Sequence, residues 1–204
     1  MCKETFQLTG DMNMQSLEVQ LVLQCAPTIT GLRLSNLFII PAEMEGALRA
    51  LLRCSGISCY RLKNLGNKRV FLLYRRCALE KYLSLQQVRD ILFSLGYEDL
   101  SFGGILRRFS DRYIRYVDLG ADFPHEMGLL LGYPWEDVRG FMELGGDAAL
   151  YTGYWKVYSD VSEKKKLFHL FDRAETHLIR LLKENYDFPS ILEIYHENRK
   201  RIAV

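Results

Sequence analysis

Hydrophobic residues recur every three or four positions in several segments, which is the spacing of one buried helical face. This spacing predicts helices over 14–25, 42–54, 85–95, 98–116 and 161–185, with a last helix from Ser190. Pro27 ends the first helix in this interpretation, because the residue before a proline is displaced from the α region. Ser84 is expected to cap the third helix, and Asp160 with Glu163 resembles a capping box before the longest one.

Four other segments have the apolar, β-branched or aromatic composition of strands. Residues 35–40 are a short apolar run closed by Pro41. Residues 57–63 and 69–75 flank a turn-rich link, which predicts a hairpin. The sequence GYWKVY, at 153–158, is the fourth predicted strand. This order of elements favours an α+β fold, with a small sheet of about four strands surrounded by seven or eight helices.

Composition and charge are those of an ordinary globular chain. The 204 residues suit a single domain, with a core over about 14–160 and a helical C-terminal extension over 161–204. A formal net charge of +2 gives no reason to expect nucleic acid or an anionic membrane as partner. The N-terminus lacks the apolar stretch of a signal peptide, and no apolar run approaches about 18 residues, so we expect a cytosolic protein.

The spacing of the cysteines and the absence of common catalytic motifs argue against several functions. Five cysteines, at positions 2, 25, 54, 59 and 77, are odd in number and follow no CxxC spacing. Free thiols are therefore expected, and neither a disulfide nor a zinc site is predicted. The chain also lacks the GxGxxG, GxxxxGK[ST], GxSxG and HExxH signatures of common nucleotide-binding proteins and hydrolases.

The stretch FPHEMGLLLGYPWEDVRGF, residues 123–141, predicts two short helices joined by a Gly-Tyr-Pro turn. This is the outline of a DNA-binding helix-turn-helix. The second helix, however, carries Glu136, Asp137 and Glu143 against the single Arg139, and its acids would repel phosphate. The acids in its first turn are better explained as partners of the positive end of the helix dipole.

Two features near this stretch could bind a ligand. His125 lies in the first turn of the first short helix, where a neutral imidazole could act as a base or ligand, and Glu126 stands beside it. Alternation along GYWKVY places Tyr154, Lys156 and Tyr158 on one face, a row that could stack a flat ligand or hold an anion. The alternatives are a histidine that only caps and packs, and a strand whose lysine simply reaches solvent.

Three blocks of the chain resemble a known protein family. QCAPTITGLRLSNLF (24–38), FPHEMGLLLGYPWEDVRGF and GYWKVYSD (153–160) are similar, in order, to its HCAPTLAGLK-x-xSLF, FPHEIGLFLGYP-x-EDVxGFI and GYWKVYGD blocks. The family is domain-of-unknown-function family 3793, found mainly in clostridia and their relatives. The resemblance implies a bacterial cytosolic protein but no established activity. The family pattern has cysteines where this chain has none, at 147–152 and 174–177, so if those cysteines serve a shared thiol or metal function, this chain is expected to lack it.

The leading hypothesis is a small molecule or cofactor bound where the His125 helix start meets the GYWKVY strand. Its candidate residues are His125, Glu126, Tyr154, Trp155, Lys156 and, more weakly, Arg139. His125 would contact a ligand or metal, Trp155 or Tyr154 would stack, and Lys156 would hold an anionic group. The sequence names neither the ligand nor the oligomeric state.

Two other hypotheses remain open at this stage. The first is an enzyme in which Cys25 is the nucleophile and His125 its base. Against it, Cys25 lies on the apolar stripe of a predicted helix, which favours a buried structural cysteine over an activated thiolate. The second is a protein–protein interaction module that uses Tyr133, Trp135 and Phe141 as exposed anchors.

Overall fold

The structure is a computed structural model that describes residues 3–53 and 55–202, with side chains described for 4–53 and 55–195. Its α-helices are α1 (Lys3–Leu8), α2 (Leu17–Thr30), α3 (Glu45–Leu51), α4 (Arg76–Leu83), α5 (Gln86–Ser94), α6 (Phe102–Leu119), α7 (Glu126–Leu130), α8 (Trp135–Leu144), α9 (Val161–Lys183) and α10 (Phe188–Ile202). Its strands are β1 (Ser35–Pro41), β2 (Ser58–Leu65), β3 (Lys68–Tyr74), β4 (Tyr151–Thr152) and β5 (Lys156–Val157). None of the helices in this part of the chain is long and apolar enough to cross a bilayer.

The α+β class is confirmed, and the main sheet is antiparallel with strand order β1-β3-β2. In β1, Ser35 lies opposite Tyr74 of β3, and Pro41 lies opposite Lys68. The predicted hairpin is β2–β3, whose two-residue turn begins at Gly66 in the left-handed region, with φ +56°. The predicted GYWKVY strand does not join this sheet, because β4 and β5 pair with each other as a separate small hairpin.

The central strand β3 is buried on both faces, because helices cover both sides of the sheet. Alternation along the strand directs Phe71 and Leu73 into one hydrophobic cluster and Val70 and Leu72 into another. A strand buried on both faces is nearly continuous in apolar residues, and VFLLY at 70–74 has that composition. The two clusters therefore meet at β3.

The first cluster packs α2, α9 and α10 against the Phe71 face of the sheet. Residues 161–204, expected to form a helical extension, therefore supply part of this core. The prediction that Pro27 ends the first helix is wrong, since α2 runs through Pro27 to Thr30. The side chain of Arg75 donates from Nε to the Thr28 carbonyl (2.8 Å), which also accepts from the Gly31 backbone N–H, and so adds a bond to the last turn.

The second cluster packs α4 to α8 against the opposite face of the sheet. The sequence did not predict α4, and the assignment of Ser84 as an N-cap is wrong. Ser84 instead follows the last residue of α4, and its hydroxyl donates to the Lys81 carbonyl at 2.7 Å. The two short helices expected in 123–141 are α7 and α8. Helix α6 begins at Ser101, whose side chain accepts from the Gly104 backbone N–H.

A third, smaller cluster joins the β4–β5 hairpin to α9 and contains Trp155, Val157, Phe168 and Phe171. The predicted capping box at the start of α9 is wrong. Asp160 has left-handed backbone with φ +47° and its side chain does not cap the helix.

Replacing Phe71 with alanine should lower the free energy of unfolding by about 3–5 kcal/mol, because the cavity would open at the buried central strand. Phe93 is 71% exposed, so Phe93→Ala should change stability by no more than about 0.5 kcal/mol. Urea unfolding followed by circular dichroism measures both. Equal losses in the two variants would contradict a core centred on β3.

Candidate functional site

A cavity of about 240 Å³ lies where α7 and α8 meet the β4–β5 hairpin. This is the place that the sequence predicted for a site. The wall combines three predicted residues with three apolar side chains that the prediction did not include. These six are His125, Trp155, Lys156, Phe123, Met127 and Phe141, and the lining is completed by Gly128, Tyr133, Asp137 and Val138.

Three half-buried rings form one wall of the cavity. The ring centroids of Phe123 and His125 are 5.5 Å apart, those of His125 and Phe141 are 5.6 Å apart, and those of Phe123 and Phe141 are 6.2 Å apart. The Nδ1 atom of His125 is buried and has no hydrogen-bond partner among the described residues. A buried polar atom of this kind is costly unless something binds it. His125 is thus a candidate hydrogen-bonding group for a ligand.

Trp155 forms a second, rigid wall. Its indole stacks on Tyr133 with centroids 4.9 Å apart and meets Phe168 edge-on at 4.5 Å. Because it is only 7% exposed, the indole has no open face left to stack on a ligand. Trp155, predicted to stack on a ligand, instead forms a wall that limits the width of the cavity.

Asp137 fixes this wall to α8. Its Oδ2 accepts a hydrogen bond from the Trp155 indole Nε1 at 2.8 Å. Its Oδ1 accepts from the backbone N–H groups of Tyr158 (2.8 Å) and Ser159 (3.3 Å). The carboxylate lies in the first turn of α8, at the positive end of the helix dipole, and is buried. Sequence analysis assigned Asp137 to the dipole alone, although a buried indole N–H usually needs an acceptor.

Lys156 brings a positive charge to the cavity. Its Nζ donates to the carbonyl of Gly146 at 2.8 Å and forms no ion pair with any described carboxylate. The side chain lies directly over Gly146, where a Cβ atom would come within 2.4 Å of Nζ. A side chain at position 146 would displace the end of Lys156, and the hydrogen bond to the Gly146 carbonyl orients the ammonium group.

Glu126 does not line the cavity, because its side chain points into the second cluster and is completely buried. Its Oε1 accepts hydrogen bonds from the Tyr97 hydroxyl (3.0 Å) and from Arg112 Nε (2.6 Å). Burial, followed by the charge of Glu126, raises the pKa of Tyr97 well above its usual value. Glu126 thus ties the start of α7 to the interior and positions the neighbouring His125.

Tyr154 and Arg139 also lie away from the cavity. The Tyr154 hydroxyl donates to Asp172 on α9 at 2.8 Å, and its ring meets Phe171 edge-on. The Arg139 guanidinium lies over the Trp135 ring, 4.9 Å from its centroid. Three of the six predicted residues therefore line the cavity, and the other three make contacts that shape its surroundings.

The rings proposed as exposed anchors of an interaction module make internal contacts instead. Tyr133 lies between Trp155 and the Arg33 guanidinium, which is 4.9 Å from its ring centroid. Phe141 contacts His125, and Trp135 is covered by Arg139. All three side chains are half-buried rather than fully exposed.

Cys25 and His125 lie in different parts of the molecule. Cys25 is buried in the first cluster, on the far side of the sheet from α7. Burial raises the pKa of its thiol, and the nearby Arg33 opposes this effect only in part. A nucleophile needs the opposite environment. Cys2 and Cys54 lie outside the described residues, and within the described part of the chain no cluster of side chains is arranged to hold a metal ion.

The matched family covers the whole of this site. Residues 21–192 match the family described as protein of unknown function (DUF3793). The chain belongs to this family. No curated protein and no solved structure matches the chain. The chemistry of this DUF3793 site therefore has to be argued from its own geometry.

Replacing Asp137 with alanine should both destabilise the protein and loosen Trp155. Each buried donor left without an acceptor costs about 1–3 kcal/mol. Glu136→Ala is the matched control, because it removes the same charge from an exposed neighbour. Urea unfolding and the emission spectrum measure the two effects. We expect lower stability and red-shifted emission for Asp137→Ala alone, and identical behaviour of the two variants would refute its anchoring role.

Cys25 should resist alkylation in the folded protein, since its raised thiol pKa leaves little thiolate at neutral pH and burial blocks the reagent. The exposed Cys77 is the internal control. Iodoacetamide labelling at pH 7.5, followed by peptide mass spectrometry over time, should show Cys77 reacting first and Cys25 only after denaturation. Fast labelling of Cys25 would revive the nucleophile hypothesis.

Proposed function

We propose that this DUF3793 protein binds a small, largely apolar molecule in the cavity between α7, α8 and the β4–β5 hairpin. The observation that carries the proposal is the cavity itself, which opens where His125, Trp155 and Lys156 come together. Ligand sites in proteins are typically concave and mostly apolar, with a few polar groups that fix orientation. This cavity has that composition.

The volume limits the size of the ligand. An apolar cavity of about 150 Å³ is enough to hold benzene, and sites for drug-sized molecules start at about 300 Å³. At about 240 Å³, the cavity suits one aromatic ring with a substituent, or a compact two-ring molecule. It is too small for a dinucleotide or another extended cofactor.

The side chains divide into two roles. Phe123 and Phe141 offer ring surface to an apolar ligand, and the buried Nδ1 of His125 offers a hydrogen bond. Glu126 and Asp137 act indirectly, because the first holds the start of α7 and the second holds the Trp155 wall. Asp137 lines the cavity with both of its oxygens already bonded to N–H groups, whereas Glu126 lies outside the cavity.

A bacterial cytosolic setting is part of the proposal. It is supported by the three described cysteines, Cys25, Cys59 and Cys77, each of which is a free thiol. Free thiols are the usual state in a reducing compartment.

Indole, used as a neutral aromatic probe, should shift the Trp155 side-chain N–H resonance in two-dimensional ¹H–¹⁵N NMR spectra. The chain has two tryptophans, and Trp135 is a built-in control, because it starts α8 but does not line the cavity. Saturable shifts confined to Trp155 are the expected result.

His125→Ala should weaken the indole affinity about fivefold or more, since it removes a hydrogen bond and a ring contact. Exposed His169, replaced by alanine, is the matched control and should leave the affinity unchanged. Equal shifts of Trp135 and Trp155, or an unchanged affinity in His125→Ala, would contradict the proposed site.

A further inference from the structure

We propose that the ligand of this cavity is an organic anion, an aromatic ring that carries a carboxylate, and that Lys156 selects it by charge. The inference rests on the proposed function and names the chemical class that the site would take. Three features of the cavity carry it: the unpaired charge of Lys156, the hydrogen-bonded carboxylate of Asp137, and the apolar wall opposite them.

The first feature is the isolation of the lysine charge. An ammonium group has three donors, and Lys156 uses one of them on the Gly146 carbonyl. No described carboxylate lies within ion-pair distance of its Nζ, whereas Lys63 and Lys166 each have an acidic partner. Lys156 is half-buried at the edge of an apolar space, and its charge attracts an anion that enters that space.

The second feature is the hydrogen-bonded carboxylate of Asp137. Both of its oxygens accept hydrogen bonds from the hairpin, from the Trp155 indole on one side and from two backbone N–H groups on the other. Three of its roughly four acceptor sites are thereby taken by the hairpin and the residues that follow it, and the α8 dipole stabilises the charge that the carboxylate keeps. Asp137 and Lys156 are both among the residues that line the cavity, and Lys156 is the one with hydrogen-bond donors left for a ligand.

The same residues argue against a cationic ligand. Several aromatic rings around an acid could suggest a cage for a quaternary ammonium group. Such a cage needs open ring faces, but Tyr133 and Trp155 are stacked on each other. It also needs a free carboxylate, which Asp137 does not offer, and Lys156 would repel a cation.

The third feature is the distribution of polarity. Phe123 and Phe141 form an apolar wall, and Lys156 extends from the hairpin, where its contact with Gly146 fixes the ammonium group. A molecule with an apolar ring at one end and a carboxylate at the other matches both parts. His125 lines the same cavity, and its buried Nδ1 has no hydrogen-bond partner among the described residues.

The test compares phenylacetate with phenylacetamide, which has nearly the same shape but no charge. Affinities are measured by isothermal titration calorimetry or by the Trp155 resonance, on the full chain at low ionic strength, where charge effects are least screened. Lys156→Met removes the charge and keeps an unbranched side chain over Gly146. Lys68→Met removes one positive charge from the exposed first residue of β3 and is the matched control.

For the unmodified protein and for Lys68→Met we expect phenylacetate to bind about tenfold or more tightly than phenylacetamide. Lys156→Met should bind the two probes with about equal affinity, and its affinity for phenylacetamide should equal that of the unmodified protein. Equal affinity for the two probes in the unmodified protein would overturn the anionic class. A preference retained by Lys156→Met would overturn the role of the lysine.

The test also separates this inference from the proposed function. If indole shifts the Trp155 resonance but phenylacetate binds no better than phenylacetamide, the cavity is a ligand site without charge selection and only the inference fails. If indole, phenylacetate and phenylacetamide all leave Trp155 unaffected, the proposed function fails, and the inference fails with it.

Discussion

The candidate site depends on one buried carboxylate, that of Asp137. Its three hydrogen bonds connect the first turn of α8 to the β4–β5 hairpin and fix the Trp155 indole between them. A hairpin with only two residues in each strand is too short to be stable alone. The bonds of Asp137 and the packing of Trp155 on Tyr133 and Phe168 supply the stability that the hairpin's own few backbone hydrogen bonds cannot provide. Without that connection the cavity would lose a wall.

The rest of the fold positions the other wall of the cavity, which contains His125 at the start of α7. Strand β3 is buried on both faces, so the helices of the second cluster are held against a rigid sheet. Helix α7 has only five residues and is too short to be stable in isolation. It is held at its first turn by the buried Glu126, which bonds to Tyr97 and Arg112 on neighbouring elements. His125 takes its position from that attachment, so the buried acid contributes to the site without touching the cavity.

The sequence indicated which elements border this cavity, but not which of their side chains line it. His125 and Lys156 could be identified because a histidine and a lysine in aromatic surroundings are chemically distinctive. The exclusion of Glu126 from the cavity could not be predicted, because its direction depends on Arg112, fourteen positions away on another helix. Ser84 shows the same limit for the fold: local capping preferences favoured a helix start, whereas tertiary packing placed a helix before it. Hydrophobic periodicity predicts local structure, but it does not show which distant segments come into contact.

The central claim is that the cavity holds a small molecule, and native mass spectrometry tests it most directly. The protein would be incubated with the small-molecule fraction of a bacterial extract and compared with Met127→Trp, in which a larger side chain occupies the space that Met127 lines. The account predicts a reproducible adduct on the unmodified chain that Met127→Trp lacks, although both variants unfold at similar urea concentrations. Adducts of equal mass and abundance on both chains, or none on either, would contradict a ligand site in this cavity.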